Sequence, residues 1–343
     1  MRVGKSTLKK LLTIAKSGKT NCILLSNGKF YIYTIKNTVV VYDSKQYESF
    51  TTAIELDTLK AITLSCNEFI SISEAGIAID SDNVVIKLNY CNDEIPNITT
   101  FEYSGNYELN QDYINALDIS RIVVSKNCKE KVHLNSLYHD NVDNQLHIVA
   151  TNGYVLNNIP TGPCIEALQG KTISLDLVKY VKLLKGSITL NVVDSTNYFM
   201  LSDGNFSIYS LFTTVNYPNY KRFIPVIYNK CEIDFKEFYK VFKAIKPFAT
   251  KTENNSIPIV YIDFNSDKST IKVSGNDVSF SFNTTANEFA SIDTKFSLGY
   301  LESVVNSLKI LNIDKFEVHV EAVKNTTVIN TEKGLLMIMR INN

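Results

Sequence analysis

With 343 residues, 45% of them hydrophobic and 20% charged, the chain is long enough for two or three globular domains with ordinary cores. Its 35 basic and 35 acidic residues cancel, so net charge gives no pull toward nucleic acid. Six scattered cysteines without a C-x-x-C pair exclude a metal ribbon or disulfide framework and fit a reducing compartment. No apolar run approaches the ~18 residues of a membrane span and the lysine-interrupted N-terminus lacks a signal-peptide core, so a cytoplasmic protein is expected.

The first helix is predicted over residues 6–16, with Leu8, Leu11, Leu12 and Ala15 on one face, Ser6 as its cap and Gly18 as its stop. Strands follow at 21–25, 29–34 and 39–42, the first two joined through Ser26-Asn27-Gly28 as a hairpin turn. A short helix is expected at 57–63, then strands at 69–73, 77–79 and 83–88. The pattern restarts near 105: a helix over 110–122, strands at 132–138 and 145–151, a helix over 174–185, and strands at 187–193, 198–202 and 205–213. It restarts again near 229, with a helix over 234–246 that places Phe235, Phe238, Phe242 and Ile245 inward and stops at Pro247. Strands, a helix over 297–311 and further strands complete the chain.

One short motif occurs three times. Ile54-Glu55-Leu56-Asp57-Thr58-Leu59, Ile173-Ser174-Leu175-Asp176-Leu177-Val178 and Phe296-Ser297-Leu298-Gly299-Tyr300-Leu301 lie 119 and 123 residues apart, each opening a helical segment. Ile95-Pro96-Asn97 and Tyr217-Pro218-Asn219 echo this period at 122 residues. Each helix needs a sheet to cover its apolar face, so the expected class is α+β, with three tandem two-layer helix/sheet domains at 1–104, 105–228 and 229–343.

Charge is segregated although its sum is zero. Five lysines and no acid fall between Lys5 and Lys19; Lys236, Lys240 and Lys243 lie opposite the phenylalanines of their helix; Lys179, Lys182 and Lys185 share another. Basic helices with acidic strands and loops suit a phosphate backbone if the helices face inward in a ring.

No catalytic constellation is present. Gly4-Lys5-Ser6-Thr7 resembles the end of a phosphate-binding loop but lacks the upstream glycine and room for a preceding strand. His139-Asp140 with Asp143 reads as a polar connection between two strands rather than a metal site, and His133, His139, His147 and His319 have no ligand spacing. No cofactor and no enzyme activity are expected.

Leu134-Asn135-Ser136-Leu137, followed by His147-Ile148-Val149-Ala150-Thr151-Asn152-Gly153-Tyr154-Val155-Leu156, resembles the bacterial DNA polymerase III beta sliding clamp. That family has a leucine-asparagine-glycine strand and an alanine-threonine-aspartate-glycine-histidine-arginine-leucine strand end. Tyr217-Pro218-Asn219-Tyr220-Lys221-Arg222-Phe223-Ile224-Pro225 is similar to its segment closing domain two, and Leu335-Leu336-Met337-Ile338-Met339-Arg340-Ile341 to its C-terminal ending. The resemblance runs through the whole chain in order and implies a head-to-tail homodimer ring that encircles duplex DNA without reading sequence. It further implies a DNA polymerase processivity factor that is not itself an enzyme, tethers the replicative polymerase and is placed on DNA by a clamp loader carrying the ATPase. The alternative is a clamp-like interaction protein that does not encircle DNA.

Carried over residue by residue, the resemblance implies a partner-peptide pocket of Leu134, Thr151, Gly153, Tyr154, Val155, Leu156, Pro218, Arg222, Phe223, Val323, Asn325, Leu336, Met337, Ile338, Met339, Arg340 and Ile341. It implies DNA contacts at Lys5, Lys9, Lys16, Lys19, Lys126, Lys129, Lys131, Lys179, Lys182, Lys236, Lys240 and Lys243, and a dimer joint near Tyr90 and Phe248. The chain departs from the family at Tyr154-Val155, where a histidine-arginine pair is usual, at Asn152 for an aspartate, at Ile338 for a proline, and in ending on Asn342-Asn343. A divergent, phage-encoded clamp matched to its own polymerase fits these departures.

Overall fold

The structure, a computed structural model, describes residues 1–34, 38–47, 49–74, 76–79, 82–86, 103–124, 131–193, 197–213, 215–224, 230–251, 256–286, 291–320 and 325–341, with the backbone alone given at 82–86 and 132. Six α-helices are formed among them: α1 Lys5–Gly18, α2 Leu56–Ser65, α3 Gln111–Ser120, α4 Leu175–Val181, α5 Phe235–Ile245 and α6 Leu298–Leu311.

Each helix is preceded by one strand and followed by three, so the chain is one strand–helix–three-strand module repeated in series. Modules interlock in pairs. The strand before α1, Arg2–Gly4, pairs with Phe69–Ser73 after α2, and the strand before α2, Thr51–Glu55, pairs with Cys22–Ser26 after α1. The same exchange links α3 with α4 and α5 with α6. Three tandem copies of one two-layer α+β fold result.

Two compact units emerge from chain proximity, residues 1–111 with 176–212 and residues 112–175 with 213–343, and they divide the expected middle domain. In the first, an eight-stranded antiparallel sheet runs Thr51–Glu55, Cys22–Ser26, Lys29–Tyr33, Val39–Asp43, Phe206–Leu211, Tyr198–Ser202, Ile188–Val193 and Gly105–Leu109. A four-stranded sheet runs Arg2–Gly4, Phe69–Ser73, Gly76–Ile79 and Asp82–Ile86. In the second unit one sheet holds twelve strands: Thr172–Ser174, Ser136–Val142, Gln145–Thr151, Val155–Pro163, Gly334–Met339, Thr326–Thr331, Lys315–Val320, Lys230–Asp234, Asn276–Thr285, Lys268–Val273, Ile259–Phe264 and Ile292–Ser297.

The thrice-written motif is a corner, not only a helix start. Thr51–Glu55, Thr172–Ser174 and Ile292–Ser297 are strands that run directly into α2, α4 and α6, and Ile54, Ile173 and Phe296 are buried at the turn. α5 follows the expected face: Phe235, Phe238, Phe242 and Ile245 are buried, and the Asp234 carboxylate accepts from Glu237 N at 2.8 Å as an N-cap. Phe238 meets Phe282 and Phe316 edge-on at 5.3 and 5.6 Å between centroids.

Several expectations are corrected. Gly4, not Ser6, stands at the N-cap of α1 without a side-chain hydrogen bond, Ser6 is exposed inside the helix, and Leu12 is half-buried while Ile14 enters the core. Gly18 is the last helical residue, and Lys19 takes the left-handed cap at φ 55°. A strand does precede Gly4-Lys5-Ser6-Thr7, but it passes straight into α1 at Gly4 φ −74°, leaving no loop to cradle a phosphate. α4 is seven residues long rather than twelve, closing in tight bonds from Leu183 N to Tyr180 O and Leu184 N to Val181 O. The hairpin at Asn27-Gly28 is as expected, with φ 50° and 74°; a Cβ on Gly28 would lie 1.7 Å from Gln46 O, so glycine is required. Ile95-Pro96-Asn97 and the join near 228 lie outside the described residues.

His139 and Asp140 are also relocated. They sit inside Ser136–Val142, and the turn is Asp143-Asn144, both at positive φ. His139 is buried, its Nδ1 donating to Lys171 O at 3.0 Å and its Nε2 accepting from the Tyr113 hydroxyl at 2.8 Å. Burial lowers the imidazole to about 4, against the upward effect of the Lys171 carbonyl. A folded value below the unfolded ~6.5 means the stabilisation is complete above pH ~6.5 and shrinks as pH falls toward 4, by up to ~3 kcal/mol. Denaturation midpoints measured from pH 7 to 4.5 should fall with acidity in the native chain and fall less in His139→Gln. His319, also lowered chiefly by burial, leaves a residual slope. An equal slope in the variant would rule His139 out as the source.

Candidate partner-binding cleft

A cleft of about 280 Å³ opens in the second unit, lined by Lys131, His133, Leu134, Thr151, Gly153, Tyr154, Val155, Leu156, Pro218, Tyr220, Phe223, Thr326, Met337 and Met339. Its base is a buried cluster of Val149, Leu156, Tyr220, Val328 and Met337.

The turn between Gln145–Thr151 and Val155–Pro163 forms one wall. Asn152 Oδ1 accepts from Tyr154 N and Val155 N at 2.9 and 2.8 Å, the Thr151 hydroxyl donates to Val155 O at 2.8 Å, and Gly153 N donates to Thr151 Oγ1 at 3.0 Å. Only acceptor oxygen is demanded of residue 152, so asparagine serves where the family has aspartate. Gly153 sits at φ +91°, a conformation that favours glycine even though a Cβ there would meet no neighbour. The turn points Tyr154 outward onto Tyr300 of α6, the rings stacked at 4.8 Å and 13°. An aromatic pair thus occupies the rim.

The opposite wall is the segment from Tyr217 to Phe223. Tyr217 stacks on Tyr138 at 4.6 Å and 5°. The Tyr220 hydroxyl donates to Asp140 Oδ2 at 2.7 Å, and Lys221 Nζ reaches the same oxygen at 2.8 Å. Gln169 Nε2 donates to Asp140 Oδ1 at 3.1 Å. Burial pushes the Asp140 carboxyl up, but the hydrogen bonds from Lys221, Tyr220 and Gln169 outweigh it and hold the group below its ordinary value. One buried carboxylate therefore pins the whole wall.

Ten expected pocket residues meet here: Leu134, Thr151, Gly153, Tyr154, Val155, Leu156, Pro218, Phe223, Met337 and Met339. Leu336 and Ile338 do not. Side chains alternate along Gly334–Met339, so Met337 and Met339 face the cleft, whereas Leu336 and Ile338 are buried on the other face, Ile338 beside Leu301, Val304 and Leu308 of α6. Arg340 and Ile341 leave the strand, bonding through their amides to Asn325 O and Lys295 O, and Asn325 is exposed. Arg222 is exposed, with its guanidinium 4.8 Å from the Phe223 ring. Val323 lies outside the described residues. Sequence reasoning missed His133, Tyr220 and Thr326 and assigned Lys131 to DNA; the quoted motifs contained Tyr220, whereas nothing marked Thr326.

Among the DNA candidates, Lys9, Lys16, Lys19, Lys179, Lys182, Lys236, Lys240 and Lys243 are exposed and Lys5 is half-buried. Lys179 Nζ caps the end of α1 at Ser17 O, 3.0 Å away. Lys126, Lys129 and Tyr90 lie outside the described residues. Phe248 is exposed at the end of the turn after α5, where its carbonyl accepts from Asn276 Nδ2 at 2.5 Å. Among the described residues no cluster of three metal-ligating side chains forms, and no helix is long and apolar enough to cross a membrane.

No protein-family model and no curated protein sequence matches the chain. Solved structures do. The DNA polymerase III beta subunit of Thermotoga maritima aligns over 100% of this chain and 99% of its own at 19% identity and TM-score 0.80. The fold is that of a DNA polymerase sliding clamp. The clamp of Caulobacter crescentus aligns over 100% and 99% at 15% identity and TM-score 0.78. That of Bartonella birtlesii, solved bound to griselimycin, aligns over 100% of both chains at 16% identity and TM-score 0.79. Divergence at this level preserves the clamp fold while replacing most side chains, the rim pair Tyr154-Val155 among them.

Proposed function

We propose that the chain is a DNA sliding clamp: a processivity factor, not an enzyme, that encircles duplex DNA and tethers a polymerase through the Leu134–Met339 cleft. The observation carrying this reading is the clamp fold over the whole chain, coupled with a largely apolar cleft where the sequence placed its pocket. The three-domain division at 1–104, 105–228 and 229–343 is part of the same proposal, supported by the pairing of successive modules.

Closure is supported by a pattern in the sheets. Two joints between successive repeats pair the last strands of modules, Val39–Asp43 with Phe206–Leu211 and Val155–Pro163 with Gly334–Met339. Two last strands are left over. Asp82–Ile86 ends its sheet, and Asn276–Thr285 meets a second neighbour, Lys230–Asp234, only at Thr284 and Thr285. Pairing these between two copies repeats the same joint and closes a head-to-tail dimer, with Phe248 beside it. The exposed lysines of α1, α4 and α5 then suit the DNA phosphates without reading sequence. A separate clamp loader supplies the ATPase, and no cofactor is needed.

The test is retention after loading. The protein should stay on closed circular DNA and run off the same DNA once linearised; equal retention on both would refute encirclement. The changed rim at Tyr154-Val155 and the neutral net charge favour a second reading, a clamp-like interaction protein that never encloses DNA. A stable monomer by light scattering at micromolar concentration would select it.

A further inference from the structure

A second groove lies at the far end of the strand pair that carries the cleft. Val155–Pro163 and Gly334–Met339 run antiparallel, with Val155 opposite Ile338 and Asn158 opposite Leu335. The cleft occupies the end with Val155 and Met339. The groove, of about 450 Å³, occupies the other end, bounded by Pro160, the Glu332-Lys333 turn, α3 and the last turn of α6. α6 spans the two sites: Tyr300 stacks on Tyr154 at the cleft rim, and Ile310, about 15 Å further along the helix, borders the groove.

The groove is apolar at its base and acidic at its walls. Ile119, Ile159 and Leu311 are buried in its lining, and Ile310 beside them is 45% exposed. Asp112 on α3 and Glu332 in the turn are exposed, and Lys333 is the only cation among the described lining residues. Lys333 Nζ is committed to the carbonyls that end α6, donating to Leu311 O at 2.9 Å and Asn312 O at 3.3 Å, with Glu332 Oε1 3.7 Å away. The cations on or next to the two helices are engaged elsewhere: Lys309 Nζ donates to the Tyr239 hydroxyl at 3.4 Å, and Arg121 pairs with Asp118. The field in the groove is therefore negative, which repels nucleic-acid phosphates and favours a cation.

We propose that this groove is a second docking site, taking a segment of a partner protein that sets an apolar side chain against Ile310 and a Lys or Arg toward Asp112 and Glu332. Because it lies at the opposite end of the ladder from the cleft, both sites can be filled at once. Exposed charge contacts contribute modestly to affinity but strongly to selection, because an acidic residue in the same place is repelled.

The experiment pans a phage-displayed random dodecapeptide library on the full-length chain carrying Phe223→Ala and Met339→Ala, which removes cleft binders. Groove binders are those that weaken both on Ile310→Asn, which removes the apolar contact, and on Asn115→Trp, which fills the groove. Neither change alters charge and both positions are exposed, so melting temperatures should match the parent. The groove binders should carry an apolar residue with Lys or Arg next to it, above the library frequency. Repeating the selection with Asp112→Lys and Glu332→Lys added should replace the base with Asp or Glu. For a selected peptide, Asp112→Asn with Glu332→Gln should weaken binding roughly five- to tenfold, and Ile310→Asn about fivefold. Groove binders without excess base, or with the same base after charge reversal, would overturn the inference. So would a selection in which no peptide is sensitive to both Ile310→Asn and Asn115→Trp. Neither outcome touches the cleft, whose binders are selected on the native chain.

Discussion

Asp140→Ala should destabilise the chain by about 3 kcal/mol and take partner binding with it. Asp140 is buried, yet it accepts from the Tyr220 hydroxyl at 2.7 Å, Lys221 Nζ at 2.8 Å and Gln169 Nε2 at 3.1 Å. Removing the carboxylate leaves the buried Tyr220 hydroxyl without its acceptor. Removing one member of a buried pair costs about 3–5 kcal/mol; here the lower end applies, because Lys221 is half exposed and rehydrates. Lys221→Ala removes only the exposed member and should cost below ~1 kcal/mol. The difference also reaches the cleft, since Tyr220, Pro218 and Phe223 are presented by the segment that Asp140 pins. Urea denaturation of the two variants decides it: equal losses would mean that the carboxylate does not anchor the wall.

That network marks where sequence reasoning stops. The helices were legible because their apolar residues recur at helical spacing, as at Phe235, Phe238, Phe242 and Ile245. The six short strands entering them were not, because three to six residues such as Thr172–Ser174 carry too little alternation to stand apart from the helix that follows. The cleft was legible where it rests on local motifs, at Thr151–Leu156 and Pro218–Phe223. It was misread at Leu336 and Ile338, where a period of two would have separated them from Met337 and Met339. Asp140 looked like turn chemistry because its partners, Gln169, Tyr220 and Lys221, are 29 to 81 residues distant in sequence, and nothing local announces a buried carboxylate. Thr326 escaped for a similar reason: a threonine in a strand is ordinary, and only the surrounding shape leaves its hydroxyl unpaired.

A proline on the free edge of Asn276–Thr285 should open the proposed ring without unfolding the chain. Amides in a strand point alternately to its two sides. Thr284 N donates to Asp267 O on the side of Lys268–Val273, whereas Asn283 N donates to Glu237 Oε1 on the opposite side. Phe280 therefore faces the existing ladder and Ser281 the open edge. Ser281→Pro removes a donor from the dimer joint alone, and prolines are tolerated on edges. Each joint then buries one unpaired carbonyl, about 1–3 kcal/mol, and a two-joint ring loses about 2–6 kcal/mol, or roughly 30-fold to 20,000-fold in dimer affinity. Phe280→Pro breaks the ladder itself and should lower the melting temperature instead. Sedimentation equilibrium with thermal melting separates the cases. An unchanged dimer in Ser281→Pro would place the joint elsewhere. Monomers that melt like the native protein and no longer remain on closed circular DNA would tie this edge to encirclement.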